Sequence, residues 1–197
     1  MKKVVVTLVV AVLAVFSFAA FEVTGGYVHA SVAASDTAVA SDVSFNGLSI
    51  GANYLYEDLG FVEGGALVLG GAFDYYFPVK EVKIVKGGNS STVDFTQMDI
   101  TLNLGYRQSL NPFLPELPVD VFVEGLFNYS FGLGDNKLTG SSLAFGGGAG
   151  AAFEVQNLDV KVGADILFSK PSIVDDYEET YKNSFKPKFK VFAGVEF

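Results

Sequence analysis

Apolar and polar residues alternate over most of the chain, so that each of several segments divides into an apolar row and a polar or small row. A period of two is typical of a β-strand whose two faces meet different surroundings. The alternation is clear in four segments, 97–107, 119–131, 159–169 and 185–197, and weaker in four others, 21–30, 48–56, 61–77 and 142–155. The pattern therefore predicts eight strands.

The connections between these strands differ in length. Residues 57–60 and 156–158 predict short turns, and 133–141 a loop of medium length, whereas 108–118 is longer and contains three prolines. The longest predicted loops are 31–46, 78–92 and 170–183. Short turns at one end and long loops at the other are typical of an up-and-down membrane barrel. We therefore predict an all-β fold, an eight-stranded antiparallel up-and-down transmembrane β-barrel.

The first residues have the pattern of an export signal. Lys2 and Lys3 precede an apolar run of about 15 residues, and small residues, Ser17 and Ala19, flank Phe18. The run is shorter than the roughly 20 residues that a membrane-spanning helix needs, so a secretory signal peptide is favoured. We expect residues 1–19 to be a cleaved signal peptide and residues 20–197 to form one barrel domain.

The composition excludes several classes of function. Half of the residues are hydrophobic, the formal net charge is −9, and the chain has no Cys, no Trp and one His. The absence of Cys excludes disulfides and thiolate metal sites, and the acidic total argues against a nucleic-acid partner. We expect no cofactor and no metal. Because the chain is exported, apolar and without a second helix-length apolar run, we expect its partner to be membrane lipid.

The apolar rows are predicted to face lipid, with the charged rows enclosed. Aromatic residues in the apolar rows cluster near strand ends, where interfacial girdles form in membrane barrels. Eight strands leave an interior just wide enough for side chains to fill it. The charged residues of the polar rows are therefore predicted to form a lumen charge network: Glu22, Asp99, Arg107, Asp120, Glu124, Lys161, Asp165, Lys186, Lys188 and Lys190.

Three finer expectations concern this network. Arg107, Asp120 and Glu124 are expected to lie close together, and the lysines of 186–190 to face the row of Glu22 and Thr24. The glycines at 146, 148 and 150 are expected to make room for long side chains from across the lumen.

The charges of the lumen have two interpretations, a proton or ion path and a polar plug whose charges are all paired. The plug is favoured because a barrel of this strand number is normally filled.

The end of the chain carries a family resemblance. The segment Val191-Phe192-Ala193-Gly194-Val195-Glu196-Phe197, which ends in an aromatic residue, resembles the last strand of Gram-negative-type outer membrane barrels. With the signal peptide and eight alternating strands, the whole chain resembles small OmpA/OmpX-like outer membrane proteins. The family's usual glycine would fall at Phe192, and Gly194 is the nearest one here. Because the chain ends on the last strand, no periplasmic domain is expected.

This resemblance implies an outer membrane location and a partner. In the family the barrel-assembly machinery recognises the terminal strand, so Val191, Ala193, Val195 and Phe197 are expected to form the assembly signal. The resemblance implies no cofactor.

Catalysis has one candidate pair. His29 and Ser31 resemble the His-x-Ser spacing of lipid A deacylases, but no Asn follows the serine and the segment is the first strand rather than a late one. One such spacing is weak support for a catalytic triad, so we predict that the protein is not an enzyme. The acidic run 175–179 is interpreted as a solvated loop rather than a metal site.

Four functional hypotheses follow. The first is a non-enzymatic barrel with a structural or surface-interaction role through loops, whose ligand the sequence does not indicate. The second is a narrow-lumen or lateral transporter of small or apolar solutes. The others are a lipid acyl hydrolase and a secreted lipocalin-like barrel, although the Gly-x-Trp start of lipocalins is missing.

Overall fold

The computed structural model describes residues 19–32, 43–57, 62–86, 89–133, 139–156, 158–174, 180–182 and 186–197. These residues form nine strands: β1 (Ala19–Val32), β2 (Val43–Glu57), β3 (Gly65–Lys86), β4 (Asn89–Ser109), β5 (Asp120–Leu133), β6 (Thr139–Val155), β7 (Leu158–Val174), β8 (Thr180–Lys182) and β9 (Lys186–Glu196). The described part of the chain contains no helix long and apolar enough to cross a bilayer. The predicted signal peptide, up to residue 18, and the acidic run 175–179 lie outside the described residues.

The strands close on themselves. Each strand from β1 to β7 pairs antiparallel with the next, β7 also pairs with β9, and β9 pairs with β1. The short β8 pairs with the end of β7 beyond β9, so β8 and β9 share the eighth position. Next to the last β1–β9 pair, Phe21 and Phe197 exchange backbone hydrogen bonds. The prediction of a closed eight-stranded antiparallel barrel is confirmed.

The strand pairing defines the tilt of the barrel. A walk along paired residues starts at Ala20 and passes Leu55, Val68, Gly105, Leu126, Gly146, Leu167 and Lys188 before it returns to β1 at Ala30. The walk returns ten residues further along β1, so the barrel has a shear of ten. A stagger of this kind requires strands that tilt by about 35–45° from the axis.

The side chains alternate between the two faces of the wall. Ile50 on the outer face of β2 exposes 61% of its surface, whereas Glu22 on the inner face of the neighbouring strand β1 is completely buried. Exposed aromatic residues lie toward both ends of the wall, for example Tyr75, Phe131 and Phe189 at one end and Tyr54, Tyr106 and Phe197 at the other. This arrangement confirms that the apolar rows face outward and that the charged rows are enclosed.

The strand lengths correct two loop predictions. Residues 78–92, predicted as a loop, mostly continue β3 and β4, which are 22 and 21 residues long. β2 pairs with β3 only up to Tyr76, and β5 pairs with β4 only up to Met98, so the two strands beyond these points form a two-stranded ribbon. Two register shifts flank Val79, next to Pro78, where a bulge tolerates the missing N–H donor. Part of the predicted loop 170–183 also forms strand.

The ends of the barrel can be named by their connections. The terminus end carries the start of β1, Phe197, the turn around Gly64, the 110–119 connection and the turn at Gln156. The loop end carries the ribbon and the ends of β1, β5 and β7. At the terminus end Gly64 has a φ of 75°, and the Gln108 amide donates to the Glu63 carbonyl over 2.8 Å.

The glycines of β6 make room for neighbouring strands. A Cβ added at Gly150 would lie 2.4 Å from Cζ of Phe122 on β5, and one added at Gly148 would meet the Asp165 carboxylate on β7. The expectation that these glycines accommodate side chains from across the lumen is therefore wrong. The missing side chains at Gly150 and Gly148 instead leave space for Phe122 and Asp165 of the adjacent strands.

The outward face generates a first prediction. Replacing Leu104 with Arg puts a charge in the middle of the outer apolar face, and we expect a loss of about 2–4 kcal/mol in the free energy of unfolding. Tyr75→Arg, within the loop-end girdle, is expected to cost about 0–1 kcal/mol. Urea titration of the barrel in lipid vesicles, followed by heat-modifiable migration, measures both. Equal costs at the two positions would contradict the lipid-facing assignment.

The β6 glycines generate a second prediction. Gly150→Ala forces Phe122 or the wall to move, and we expect a loss of about 1–3 kcal/mol in the same urea titration. Gly125→Ala is the matched control, because a Cβ added there meets nothing within 4 Å. A control variant as unstable as Gly150→Ala would show that steric contact is not the cause.

Candidate functional site

A buried ion pair crosses the lumen between β1 and β4. The Arg107 guanidinium donates to both oxygens of Glu22, over 2.7 and 3.4 Å, and its Nε donates to Glu124 on β5 over 3.0 Å. Glu22 is fully buried and Arg107 nearly so. A planar guanidinium that binds a carboxylate with two N–H groups is both strong and fixed in direction.

Further donors satisfy Glu22. The Asn53 amide donates to its Oε1 over 2.9 Å, and the Lys161 ammonium lies 3.5 Å from its Oε2. Lys161 also forms a short ion pair with Glu196 near the terminus end. Because buried charges are tolerated when they are paired and hydrogen-bonded, this cluster is a satisfied network.

Apolar side chains fill the space around the ion pairs. The Arg107 guanidinium lies 4.5 Å from the centre of the Phe122 ring, and Leu55 and Val68 pack together on the inner face. Tyr76, Leu167 and Phe192 are also buried inside the barrel. The interior is therefore a mixed core in which aromatic and aliphatic groups separate the charged clusters.

A second ion pair lies nearer the loop end. The Lys188 ammonium on β9 donates to Asp74 Oδ2 on β3 over 2.6 Å and lies 5.9 Å from the centre of the Tyr76 ring. Asp99, directly across from Asp74 on β4, accepts a 2.6 Å hydrogen bond from the Gln97 amide. The lumen thus has two levels of ion pairing, one at each side of its middle.

Two cavities lie on either side of Arg107. The mid-lumen cavity has a volume of about 40 Å³, which is enough for a water molecule or two. The terminus-end cavity is about 470 Å³ and is lined by Glu57, Asp120, Glu154 and Asp159. Arg107 lines both cavities, so its side chain and those around it form the partition between them.

The predicted lumen residues do not all join one network. Asp120 is half-buried at the terminus-end cavity and accepts a 2.5 Å hydrogen bond from Ser109, rather than contacting Arg107. Asp165 is buried beside Glu124 at the mid-lumen cavity, and its Oδ1 has no hydrogen-bond partner among the described residues. Lys190 is half-buried, 5.9 Å from the Phe192 ring centre. The side chain of Lys186 lies outside the described residues.

The expectation that residues 186–190 face Glu22 and Thr24 is wrong. β1 begins where antiparallel β9 ends, so Glu22 pairs with Glu196 and Thr24 with Gly194, whereas Lys188 pairs with Ala30. Lys188 instead reaches Asp74, three strands away around the ring.

Sequence reasoning missed three partners in the lumen. Asp74 lies in the apolar segment 61–77, whose parity was ambiguous, although Tyr76 and Ala72 share its inner row. Asn53 and Glu196 stand in rows predicted to be polar, but their contacts depend on the register between strands. That register could have pointed to Glu196, since the first and last strands must pair in a closed barrel.

The chain's one histidine lies on the outer face. His29 pairs with Asn46 across the β1–β2 ladder, and Ser31 pairs with Ser44. His29 Nδ1 lies 2.8 Å from Asn46 Oδ1, and His29 Nε2 lies 3.4 Å from Ser31 Oγ. The missing Asn of the candidate catalytic pair is therefore supplied by β2, a contact that spacing along one strand cannot reveal.

The terminal row also faces outward. Val191 and Phe197 are among the most exposed apolar residues, and Ala193 and Val195 share their face of β9. The four residues predicted as the assembly signal therefore lie on the outer surface.

Comparison with known proteins identifies the family. Residues 5–195 match the sequence profile of the outer membrane protein beta-barrel domain, which is nearly the whole chain. The chain belongs to this outer membrane β-barrel family. The family assignment confirms the resemblance to small OmpA/OmpX-like barrels and places the protein in the outer membrane.

Solved structures share the fold at low sequence identity. Neisserial surface protein A is 12% identical, with 90% of this chain and 97% of that chain covered and a TM-score of 0.54. The outer membrane protein OprG from Pseudomonas aeruginosa is 15% identical, with 91% and 96% covered and a TM-score of 0.45. No curated protein sequence matches the chain. The likeness to the Neisserial protein supports the barrel fold alone.

The Arg107 cluster generates a third prediction. Arg107→Met leaves the buried carboxylates of Glu22 and Glu124 without their main partner, and we expect a loss of about 3–5 kcal/mol in unfolding free energy. Glu57→Gln, an exposed carboxylate at the terminus end, is the control and should change stability little. The double variant Glu22→Gln, Arg107→Met should lose less unfolding free energy than the sum of the two single variants, which would show that the residues are coupled. Additive losses would contradict the pairing.

Proposed function

We propose that the protein is a non-porous outer membrane barrel whose interior is a structural plug and whose loop end presents a surface for interaction. The observation that carries this proposal is the partition formed by Arg107, Glu22 and Phe122 between the two cavities. A bidentate ion pair packed against an aromatic ring supports a closed lumen at this level, because Arg107 lines the cavities on both sides. The only histidine lies on the outer face, so the plug contains no imidazole base.

The loop end supports a role at the surface. The β3–β4 ribbon continues beyond the strands that flank it in the barrel wall, up to Lys86 and Asn89. A ribbon that leaves the wall extends the barrel toward whatever lies outside the membrane. In the orientation implied by the family resemblance, this side faces the cell exterior, so we propose the ribbon as a contact element.

Two partners belong to this proposal. Outer membrane lipid is the proposed partner of the outer apolar face, and the barrel-assembly machinery is the proposed partner of Val191, Ala193, Val195 and Phe197. The outward position of these four side chains supports the second partner, because a machinery that inserts a folding strand meets its exposed face.

Planar-bilayer recording tests the plug as a fourth prediction. We expect the purified barrel to give no stable unitary conductance steps. The double variant Glu22→Ala, Arg107→Ala removes the main partition and should produce steps, while Glu57→Ala should behave like the unchanged protein. Steps of equal size in the unchanged protein and the double variant would contradict the plug and favour transport of small solutes through the lumen.

A further inference from the structure

A polar cluster interrupts the apolar outer face near the loop end of β1 and β2. His29 and Ser31 share the outer row of β1 with Tyr27, which is 45% exposed, and Asn46 and Ser44 share the outer row of β2 with Leu48. His29 and Ser31 are half-buried, while Asn46 and Ser44 are exposed. The cluster is thus accessible from outside the barrel wall and separate from the lumen.

The hydrogen bonds fix the roles of the two imidazole nitrogens. The Tyr27 hydroxyl donates to Asn46 Oδ1, an amide oxygen that can only accept, over 2.5 Å. His29 Nδ1 lies 2.8 Å from the same oxygen and must therefore donate its proton to it. Nε2 is then the unprotonated nitrogen of the neutral ring. This tautomer presents a lone pair on the side of Ser31.

Ser31 lies close enough to His29 Nε2 for the lone pair of this nitrogen to accept the serine's hydroxyl proton. Its Oγ is 3.4 Å from His29 Nε2, a separation at which the hydroxyl can approach the base more closely when a substrate binds. Ser44 Oγ is 3.2 Å from Ser31 Oγ. A nucleophile, a base beside it and a third group that orients the base form the arrangement that activates a serine hydroxyl.

The surroundings indicate the class of substrate. Phe189 on β9 pairs with His29, with the two rings 6.3 Å apart, and Tyr27 stands two residues below on the same row. Outward aromatic residues near strand ends mark the level of lipid headgroups. Ester carbonyls of membrane lipids lie at the boundary between headgroups and acyl chains, and the aromatic residues around His29 place the cluster near that boundary.

We propose that Ser31, His29 and Asn46 form a hydrolytic site on the outer face of the barrel, which cleaves fatty acyl esters of membrane lipids. This activity goes beyond the structural role of the plug and does not depend on it. It departs from the sequence-based prediction that the protein is not an enzyme, because Asn46 of β2 supplies the contact that the spacing along β1 lacked. The substrate chemistry is the carboxylic ester of an acyl chain, which phospholipids and lipopolysaccharide both offer.

The chemistry is an ordinary two-step acyl transfer. Ser31 Oγ attacks the ester carbonyl carbon while His29 Nε2 takes the hydroxyl proton, and the resulting imidazolium returns that proton to the departing alcohol oxygen. Water then attacks the acyl-serine, again losing its proton to Nε2, and the fatty acid leaves as Ser31 recovers its proton. Ser44 Oγ, 3.2 Å from Ser31 Oγ, is a hydroxyl donor placed to stabilise the charge that develops on the carbonyl oxygen. Asn46 and Tyr27 are positioning residues.

Release of fatty acid tests the proposal as a fifth prediction. The refolded full barrel is incubated in detergent micelles with dioctanoyl phosphatidylcholine in one arm and lipopolysaccharide in the other, so that the two sources are distinguished. Ser31→Ala and His29→Ala should each lower the rate by about 10²–10⁴-fold. Asn46→Ala should do so too, whereas Asn46→Asp keeps an acceptor for Nδ1 and should retain most activity. Ser142→Ala, on the inner row of β6, is the control.

A covalent probe gives a second measurement on the same variants. A long-chain alkyl fluorophosphonate should bond to Ser31 Oγ with release of fluoride, and mass spectrometry locates the adduct. Labelling should disappear in His29→Ala while heat-modifiable migration shows that the variant is folded. No hydrolysis in either lipid arm, or labelling of Ser31 that does not depend on His29, would overturn the proposal.

Discussion

The pairing of β9 with β1 is the constraint on which the rest of the structure depends. Inside a bilayer every backbone N–H and C=O group needs a partner within the protein, and only a closed set of strands gives each strand two neighbours. Closure with a shear of ten then determines which residues stand opposite one another. Glu22 meets Arg107, and His29 meets Asn46, because the ladders place them there.

Closure also explains how ionic residues are retained in this core. In a water-soluble protein a buried ion pair often contributes little net stability, because the cost of desolvating the two charges offsets their attraction. In this barrel the apolar row of each strand faces lipid, so the polar row of the same strand must face the lumen. The bidentate contact of Arg107 and the amide of Asn53 then reduce the cost of enclosing Glu22.

The sequence predicts the barrel well because its strongest signal, a period of two, is local. Alternation at Met98–Leu104 or Val160–Phe168 needs no knowledge of any other strand. The contacts of the lumen are not local: Lys188 reaches Asp74, and His29 reaches Asn46, only through the register. The β3–β4 ribbon was missed for another reason, since Pro78 and Gly87 suggest a loop where a bulge lets the strands continue.

The two lumen ion pairs have a mechanical consequence. Arg107 ties β4 to β1, and Lys188 ties β9 to β3, and each tie spans three positions in a ring of eight. The two ion pairs therefore link opposite parts of the barrel wall at two levels of the lumen. They resist flattening of the cross-section under the lateral pressure of surrounding lipid, so the charges inside help to keep the cylinder round.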